Sequence, residues 1–536
     1  MFAHVSVGLI HVRPMLDLKL EADRKLYRDI AEYAFSLVQQ YKGSWSSEHG
    51  DGRSRSEFIE QFYGTKIYNA FVEIKAHIDP NNLMNPSIIV NAREMDEQFR
   101  FGDFYQETTL ETAYHFLETQ NIQRATEMCS GIGDCRKLQA GTMCPSYRAT
   151  RDEKHTTRGR ANTLRLAISG QLGPNALADK SVKAVFDLCL SCKACKSECP
   201  SNVDVARLKS EVLFQHFKTN KRPLLDRFIC NTRKSSAFFS GPIAPIVNGI
   251  KNLSFIRTLM EKYIGIDRRR KLPDFSAVSF TKWFNKRATQ KKSTLIPKTI
   301  VLFEDTWMLY NTPDVGISAV TALEAFGFTV ILANAGCCQR PRISNGFLDL
   351  AKRDGAKTIN NLVNYIDQGL QIVVCEPSCY TALTDDLPDL IGDRALAMQI
   401  KNNIRPIESV LLEALENGTA PQEIQNNATD MMVHGHCHQK AMYGTGDLMQ
   451  LLKKLSPTKA ATLIDAGCCG MAGAFGYDKN HYDLSMKIGE DRLFSAIKTC
   501  PKNTTPATTG FSCRHQIEDG CSKKAPHWLE VVFPGK

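Results

Sequence analysis

CLSCKACKSECP, residues 189–200, sets four cysteines at Cys189-x2-Cys192-x2-Cys195-x3-Cys199, with a proline directly after the last. Three thiolates at two-residue intervals wrap one corner region of a cubane iron–sulfur cluster, and the fourth, ahead of proline, reaches the neighbouring cluster where two are present. Zinc also takes closely spaced thiolates, but the three-fold run closed by Cys-Pro favours iron–sulfur over it. An altered copy lies upstream. Cys129 and Cys135 occupy the first and third positions of the same run, Ile132 stands at the second, and the last spacer is stretched to end at Cys144-Pro145. Cross-ligation then joins Cys144 to Cys189, Cys192 and Cys195 around a [4Fe–4S] cluster. Cys129, Cys135 and Cys199 remain for a second site. That site holds a three-iron cluster, borrows a non-cysteine ligand such as Asp134, or stays empty. In KHTTRGRANTLR (154–165), Arg158 and Arg160 either cap a helix and face water or offset the negative charge of a cluster.

Working outward, the 536 residues suffice for two to four domains. Hydrophobic residues at 43% and charged residues at 23% are ordinary for a globular chain. The formal charge of +10 is mild for 60.0 kDa and gives no argument for nucleic acid. The 18 cysteines are clustered within long apolar and amphipathic segments, unlike a small secreted disulfide scaffold, so thiolate ligands in a reducing cytosol are expected. The start lacks the basic and apolar stretches of a signal peptide, and no apolar run of about 18 residues predicts a membrane span.

Residues 1–90 read as α+β: a strand over 4–12 (HVSVGLIHV), a helix from Glu21 to Gln40, a Gly-rich loop SSEHGDGR (46–53) and a helix over about 57–77. Residues 91–125 connect, and 126–217 form a mainly α, ferredoxin-like helical domain. Residues 218–295 are a basic linker region of short helices. Its charge runs DRRRK (267–271) and NKRATQKK (285–292) are expected to face water. From 296 the chain alternates strands and helices, the pattern of parallel α/β layers. KTIVLF (298–303), FTVILA (328–333), QIVVC (371–375), DMMVHG (430–435), ATLIDAG (461–467) and TPATTGFS (505–512) are the expected strands.

This last region is a tandem repeat, 296–420 and 421–536. Cys337-Cys338 recurs as Cys468-Cys469, and Ser378-Cys379 recurs as Ser512-Cys513. Cys437 precedes the second pair by nearly the interval that separates Asp305 from the first, so Asp replaces Cys in the first copy. Cys437, Cys468, Cys469 and Cys513 are expected to gather at strand ends and hold an iron–sulfur cluster or zinc, with Gly467 and Gly470 letting the backbone approach it. Cys337, Cys338, Cys375 and Cys379 gather similarly, or bury their thiols in a degenerate copy. Cys230, Cys500 and Cys521 stand alone and read as structural.

Near the start, His4-x6-His11 and Glu48-His49 offer two imidazoles and a carboxylate, a donor set for a divalent metal with an open position. Seven residues is an odd separation, which puts the two rings on opposite faces of a straight strand; a bulge or turn at Gly8 corrects this.

HVSVGLIHVRP (4–14), SSEHGDGR (46–53) and DPNNLMNP (79–86) resemble the C-terminal end of the FAD-linked oxidase family, the D-lactate, glycolate and D-2-hydroxyglutarate dehydrogenases. The resemblance implies that His4, His11 and Glu48 bind a divalent metal such as zinc or manganese. It makes His49 the base that takes the hydroxyl proton, and places Asn85 near FAD. MCPSYRATRDEKHTTRGRAN (143–162), CLSCKACKSECPSNVD (189–204), GHCHQKA (435–441), GCCGMAGAFGY (467–477) and GFSCRHQI (510–517) resemble the iron–sulfur half fused to large bacterial members. They also resemble the separate iron–sulfur subunits of glycolate and anaerobic glycerol-3-phosphate dehydrogenases, with their CCG domains.

The resemblance implies an electron-transfer portion of an FAD-dependent D-2-hydroxyacid dehydrogenase, passing electrons from flavin to a quinone or carrier protein. The chain lacks that family's FAD-binding domain, so activity is expected only together with an FAD-binding polypeptide. The alternatives are a stand-alone electron-transfer subunit without substrate chemistry and an inactive truncated fragment. The expected location is cytoplasmic, or peripheral at the inner face of the membrane.

Overall fold

The computed structural model describes residues 2–102, 105–106, 109–287, 298–419 and 430–535. Two compact units result: residues 1–108 with 169–171, and the remainder of the chain.

In the smaller unit, strands β1 (Phe2–His4) and β2 (Leu9–His11) form an antiparallel hairpin. The single strand expected over 4–12 is therefore corrected to two. A 3-10 turn, Val5–Val7, and Gly8 at φ 67° reverse the chain, a backbone geometry glycine adopts without strain. The helix Glu21–Gln40 follows as expected. The helix expected over 57–77 is broken instead: short helical pieces end at Tyr63, Gly64 takes φ 82°, and Thr65–Ile78 resumes. A small aromatic core of Phe35, Phe58 and Met95, with Trp45 and Phe62 against it, holds these pieces.

The larger unit opens with short helices and closes with two parallel sheets. The first is ordered β4-β3-β5-β6, from β3 (Thr299–Phe303), β4 (Thr329–Leu332), β5 (Gln371–Val374) and β6 (Ile404–Pro406). The second is ordered β8-β7-β9, from β7 (Asp430–His434), β8 (Ala461–Leu463) and β9 (Thr504–Thr508). In both, the first strand in sequence lies central, flanked by the second and third, and all pairings are parallel. Parallel neighbours require crossovers, and helices such as Pro313–Ala325 and Leu348–Ile366 supply them. β6 was not expected; its three residues, one of them a proline, are too short a run to read.

The linker region is helical in pieces, as expected, and Arg268, Arg269 and Lys271 of DRRRK are exposed, but Asp267 and Arg270 are buried. Arg270 is wholly buried; it donates from Nε to the Gly476 carbonyl, from Nη1 to Gln516 and Asp519, and from Nη2 to Ser485. Arg269 pairs with Asp267 and Asp483, and Lys271 with Glu518. The run clamps the linker onto the second repeat. NKRATQKK lies outside the described residues beyond Arg287.

Candidate metal centres

Cys144, Cys189, Cys192 and Cys195, which come from two separate stretches of chain, line one small cavity. Cys144 caps the helix Pro145–Thr150 from its N-terminal side, with proline at the first helical position where no N–H is needed. In the loop of the run, Ser191 and Lys193 take left-handed backbone angles of 52° and 58°. Burial pushes the Cys192 and Cys195 thiols well above their ordinary range. Thiols so placed ionise only with a cation beside them, and a cluster's iron supplies one. The donor set therefore fits a [4Fe–4S] cluster. The Arg160 side chain, 1% exposed, donates from Nη1 to Cys144 Sγ at 3.4 Å and from Nη2 to Ser146 Oγ at 2.9 Å.

Cys129 and Cys135 are buried and Cys199 is half-buried. Ser130 and Ser201, neighbours of this set, meet at 3.0 Å. The Arg158 amide donates to Cys135 Sγ at 3.4 Å, and its guanidinium holds the Gly131 carbonyl at 2.9 Å. Ile132 points outward at 65% exposure and Asp134 is also exposed, so neither position adds a buried donor.

In each tandem repeat the cysteines follow the carboxyl ends of parallel strands, where open α/β sheets collect ligands. Cys437 follows β7, Cys468-Cys469 follow β8, and Cys513 lies in the helix Phe511–Cys521 after β9. Their thiols bond in a chain: Cys437 to Cys468, Cys468 to Cys469, and Cys469 to Cys513. Burial pulls the His436 ring down, but Cys437, Glu376 and Cys469 together push it up to about 9. His434, fully buried, has neither ring nitrogen hydrogen-bonded.

In the first repeat, Cys338 and Cys379 sulfurs lie 2.8 Å apart. That is too long for a disulfide and too close for two relaxed thiols. Cys337 bonds to Cys338, while Cys375 sits in the apolar core with Val373, Ile407 and Leu411. The structure thus gathers three of the four thiols. Asp305 caps its helix through the amides of Trp307 and Met308, and burial first, then Glu376, raises its carboxyl to about 7.

The glycines at the second pair serve the chain itself. A side chain on Gly470, at φ 95°, would lie 2.2 Å from the Ser485 carbonyl, and one on Gly467 would meet Gly141 and Thr142 at 3.3 Å. Close backbone packing therefore requires glycine at 470 and favours it at 467.

Several site-forming residues carried no sequence signal. Lys193, 1% exposed, pairs with Asp385 at 2.6 Å, Asp386 at 2.8 Å and Asp204 at 3.4 Å. Arg207 joins the same carboxylates through Asp385 and adds Asp389. This buried network fixes the Cys189–Cys199 loop against the first repeat. His438 bridges in parallel: Nδ1 meets Thr381 Oγ1 at 2.6 Å, and Nε2 meets the Ser191 carbonyl at 3.0 Å.

In the smaller unit, hairpin pairing of Phe2 with His11 and His4 with Leu9 puts His4 and His11 on one face despite their odd spacing. Both Nε2 atoms lie 3.1 Å from Glu48 Oε1. The three donor atoms fall within 4.8 Å of one another, close enough for one ion. His49 Nε2 stands 3.3 Å from the same oxygen. Asn85 is exposed in a turn at φ 44°.

Residues 1–89 match the family model described as FAD linked oxidases, C-terminal domain, and residues 127–204 match the 4Fe-4S dicluster domain. Among curated relatives, the D-2-hydroxyglutarate dehydrogenase of Escherichia coli is 26% identical over 97% of this chain and 54% of its own length. The chain spans about half the length of such relatives. One of the subunits of the anaerobic glycerol-3-phosphate dehydrogenase of E. coli is 28% identical over 62% of this chain and 82% of its own length. The glycolate oxidase iron-sulfur subunit of the same species is 22% identical over 78% of this chain and 95% of its own. No helix among the described residues is long and apolar enough to cross a membrane. The chain thus joins a segment matching the C-terminal domain of the FAD-linked oxidases to one matching a 4Fe-4S dicluster domain, and these two matches support FAD and a [4Fe–4S] cluster as the respective cofactors.

Proposed function

We propose that the chain is the iron–sulfur electron-transfer portion of an FAD-dependent D-2-hydroxyacid dehydrogenase, of the D-2-hydroxyglutarate or D-lactate type. The observation that carries this is the convergence of His4, His11 and Glu48 within 4.8 Å on the chain that also brings Cys144 to the Cys189–Cys195 run. A pure electron carrier has no use for the first group. Flavin supplies hydride acceptance, clusters supply one-electron transfer, and a divalent ion supplies Lewis acidity toward a hydroxyl.

The roles of the chain's own residues follow from position. His4, His11 and Glu48 hold the ion, zinc or manganese. His49, beside them, takes the proton of the substrate hydroxyl. Asn85 borders the flavin. Cys144, Cys189, Cys192 and Cys195 hold the [4Fe–4S] cluster, with Arg160 offsetting its charge. Cys129, Cys135 and Cys199 form the second, three-thiolate site. Cys437, Cys468, Cys469 and Cys513 hold a further metal group, with Cys337, Cys338 and Cys379 as its counterpart in the first repeat. The partner on the substrate side is an FAD-binding polypeptide, for which the hairpin leaves Val5, Ile10, Val12 and Met15 exposed. The acceptor is a quinone or a carrier protein, met in the cytoplasm or at the inner membrane face.

The test is anaerobic purification of the tagged chain from its own host, followed by addition of D-2-hydroxyglutarate or D-lactate. Bleaching of a broad visible iron–sulfur band, with flavin co-purifying, is expected. A band that dithionite bleaches but no hydroxyacid does, without flavin, supports instead a stand-alone electron-transfer subunit.

A further inference from the structure

Two cations stand against the four thiols of the small cavity without a carboxylate of their own. The Arg160 guanidinium is almost wholly buried, and its partners are the Val185 and His155 carbonyls, Ser146 Oγ and Cys144 Sγ. Lys209 is carried by the helix Val205–Thr219, whose first amide, that of Val205, donates to Cys195. One turn on, Lys209 Nζ donates to the Cys189 carbonyl. Among the described residues neither side chain has an acidic group at ion-pair distance, whereas Lys193, Arg207 and Arg340 each meet one. We propose that Lys209 joins Arg160 as counter-charge to the [4Fe–4S] cluster, on whose assignment to Cys144, Cys189, Cys192 and Cys195 this rests, and that the two cations set its reduction potential.

A charge removed from water is costly to the fold unless an opposite charge lies beside it. Arg160 finds that charge in the Cys144 thiolate and the cluster behind it. The four thiolates outweigh the positive core of an oxidised [4Fe–4S] cluster by two charges, and the two cations balance them. One electron from the reduced flavin of the function proposed above adds a third negative charge, which leaves again with the electron; no bond forms or breaks. Cations held close, and screened little by water, stabilise the reduced cluster more than the oxidised one, so each raises the potential. Position separates the two. Arg160 is enclosed at Cys144. Lys209 lines the large cavity, about 1310 Å³, and Cys189 alone of the four thiols lines it too. Cys337 and Cys338 of the first repeat and Cys437 and Cys469 of the second line the same space. Lys209 therefore acts on the side of the cluster that opens to the cavity shared with the thiols of both repeats.

The test is a potentiometric titration of the anaerobically purified holoprotein, read by the electron paramagnetic resonance signal of the reduced cluster. Lys209→Gln is expected to lower the reduced-to-oxidised ratio at a given potential about tenfold, close to 59 mV for a one-electron couple, at unchanged iron content. Lys209→Arg, which keeps the charge, is expected to stay at the parent's potential. Arg160→Gln and Arg160→Lys should divide in the same way. Lys209 is half-buried and bonds a single carbonyl, so its two variants decide the matter even where Arg160→Gln fails to assemble. A Lys209→Gln chain with an intact cluster at the parent's potential overturns the proposal. So does a Lys209→Arg chain that falls as far as Lys209→Gln, since packing rather than charge would then set the potential. A parent chain with no reducible cluster overturns the cluster assignment and this proposal with it, whereas an intact cluster at an unmoved potential leaves that assignment standing.

Discussion

Lys193 is a cation almost without water, surrounded by Asp385, Asp386 and Asp204. Burial alone would lower its pKa, but those carboxylates raise it instead, so the charge and its pairing persist across ordinary pH. Removing one partner from such a group strands the others. Lys193→Met is therefore expected to cost about 3–5 kcal/mol in denaturant unfolding; a cost below about 1 kcal/mol would show that water reaches the carboxylates. Gly470 poses the opposite case, a residue whose value lies in having no side chain. Gly470→Ala places a methyl 2.2 Å from the Ser485 carbonyl at a left-handed backbone angle, and an unfolding cost of about 2 kcal/mol or more is expected from strain and overpacking together. The cysteine spacing made Cys144 legible as a partner of the downstream run. Lys193 was not legible, since Asp385 and Asp386 lie far along the chain and lysine between cysteines reads as solvent-facing.

The last short helix, Trp528–Val532, begins at His527, whose ring closes a capping box with Glu530. The ring is buried and its Nδ1 accepts from the Leu529 amide at 3.3 Å, so it must be neutral. Burial lowers its pKa to about 3. The unfolded chain takes up a proton there below about 6.5 while the folded chain does not, so stability is full above that pH and falls by about 1.4 kcal/mol per unit towards pH 3. His527→Asn keeps a capping acceptor without the titration. Its melting temperature is expected to fall less than that of the parent between pH 7 and 5, and parallel curves would refute this role for His527. At the same scale, the repeated strands were readable as apolar runs, and the common order of the two sheets, β4-β3-β5 and β8-β7-β9, is the repeat seen in three dimensions. Within the charge run DRRRK only Arg270 departs from the expected water-facing cations, because composition does not reveal that Asp519 waits for it on the second repeat. The hairpin was half legible: odd spacing called for a turn, and the turn proved to be a full reversal.

For the whole molecule, the account divides between a hydroxyacid-side metal site and an electron-side set of thiols. The first is checked by equilibrium dialysis of the chain against zinc or manganese. One ion per chain at the His4, His11 and Glu48 group is expected, with affinity reduced about tenfold or more in Glu48→Gln by loss of a ligand charge. Unchanged binding in that variant would place the ion elsewhere. The second rests on Cys144 crossing to the downstream run, which the spacing implied and the shared cavity bears on directly. The most direct measurement is the iron content and electron paramagnetic resonance of the anaerobically purified chain, reduced with dithionite, compared with Cys144→Ser. The parent should bleach and show a reduced [4Fe–4S] signal, and Cys144→Ser should lose that signal together with about four irons per chain. A chain that binds no iron, or a Cys144→Ser variant that keeps the same signal and iron, would contradict the account.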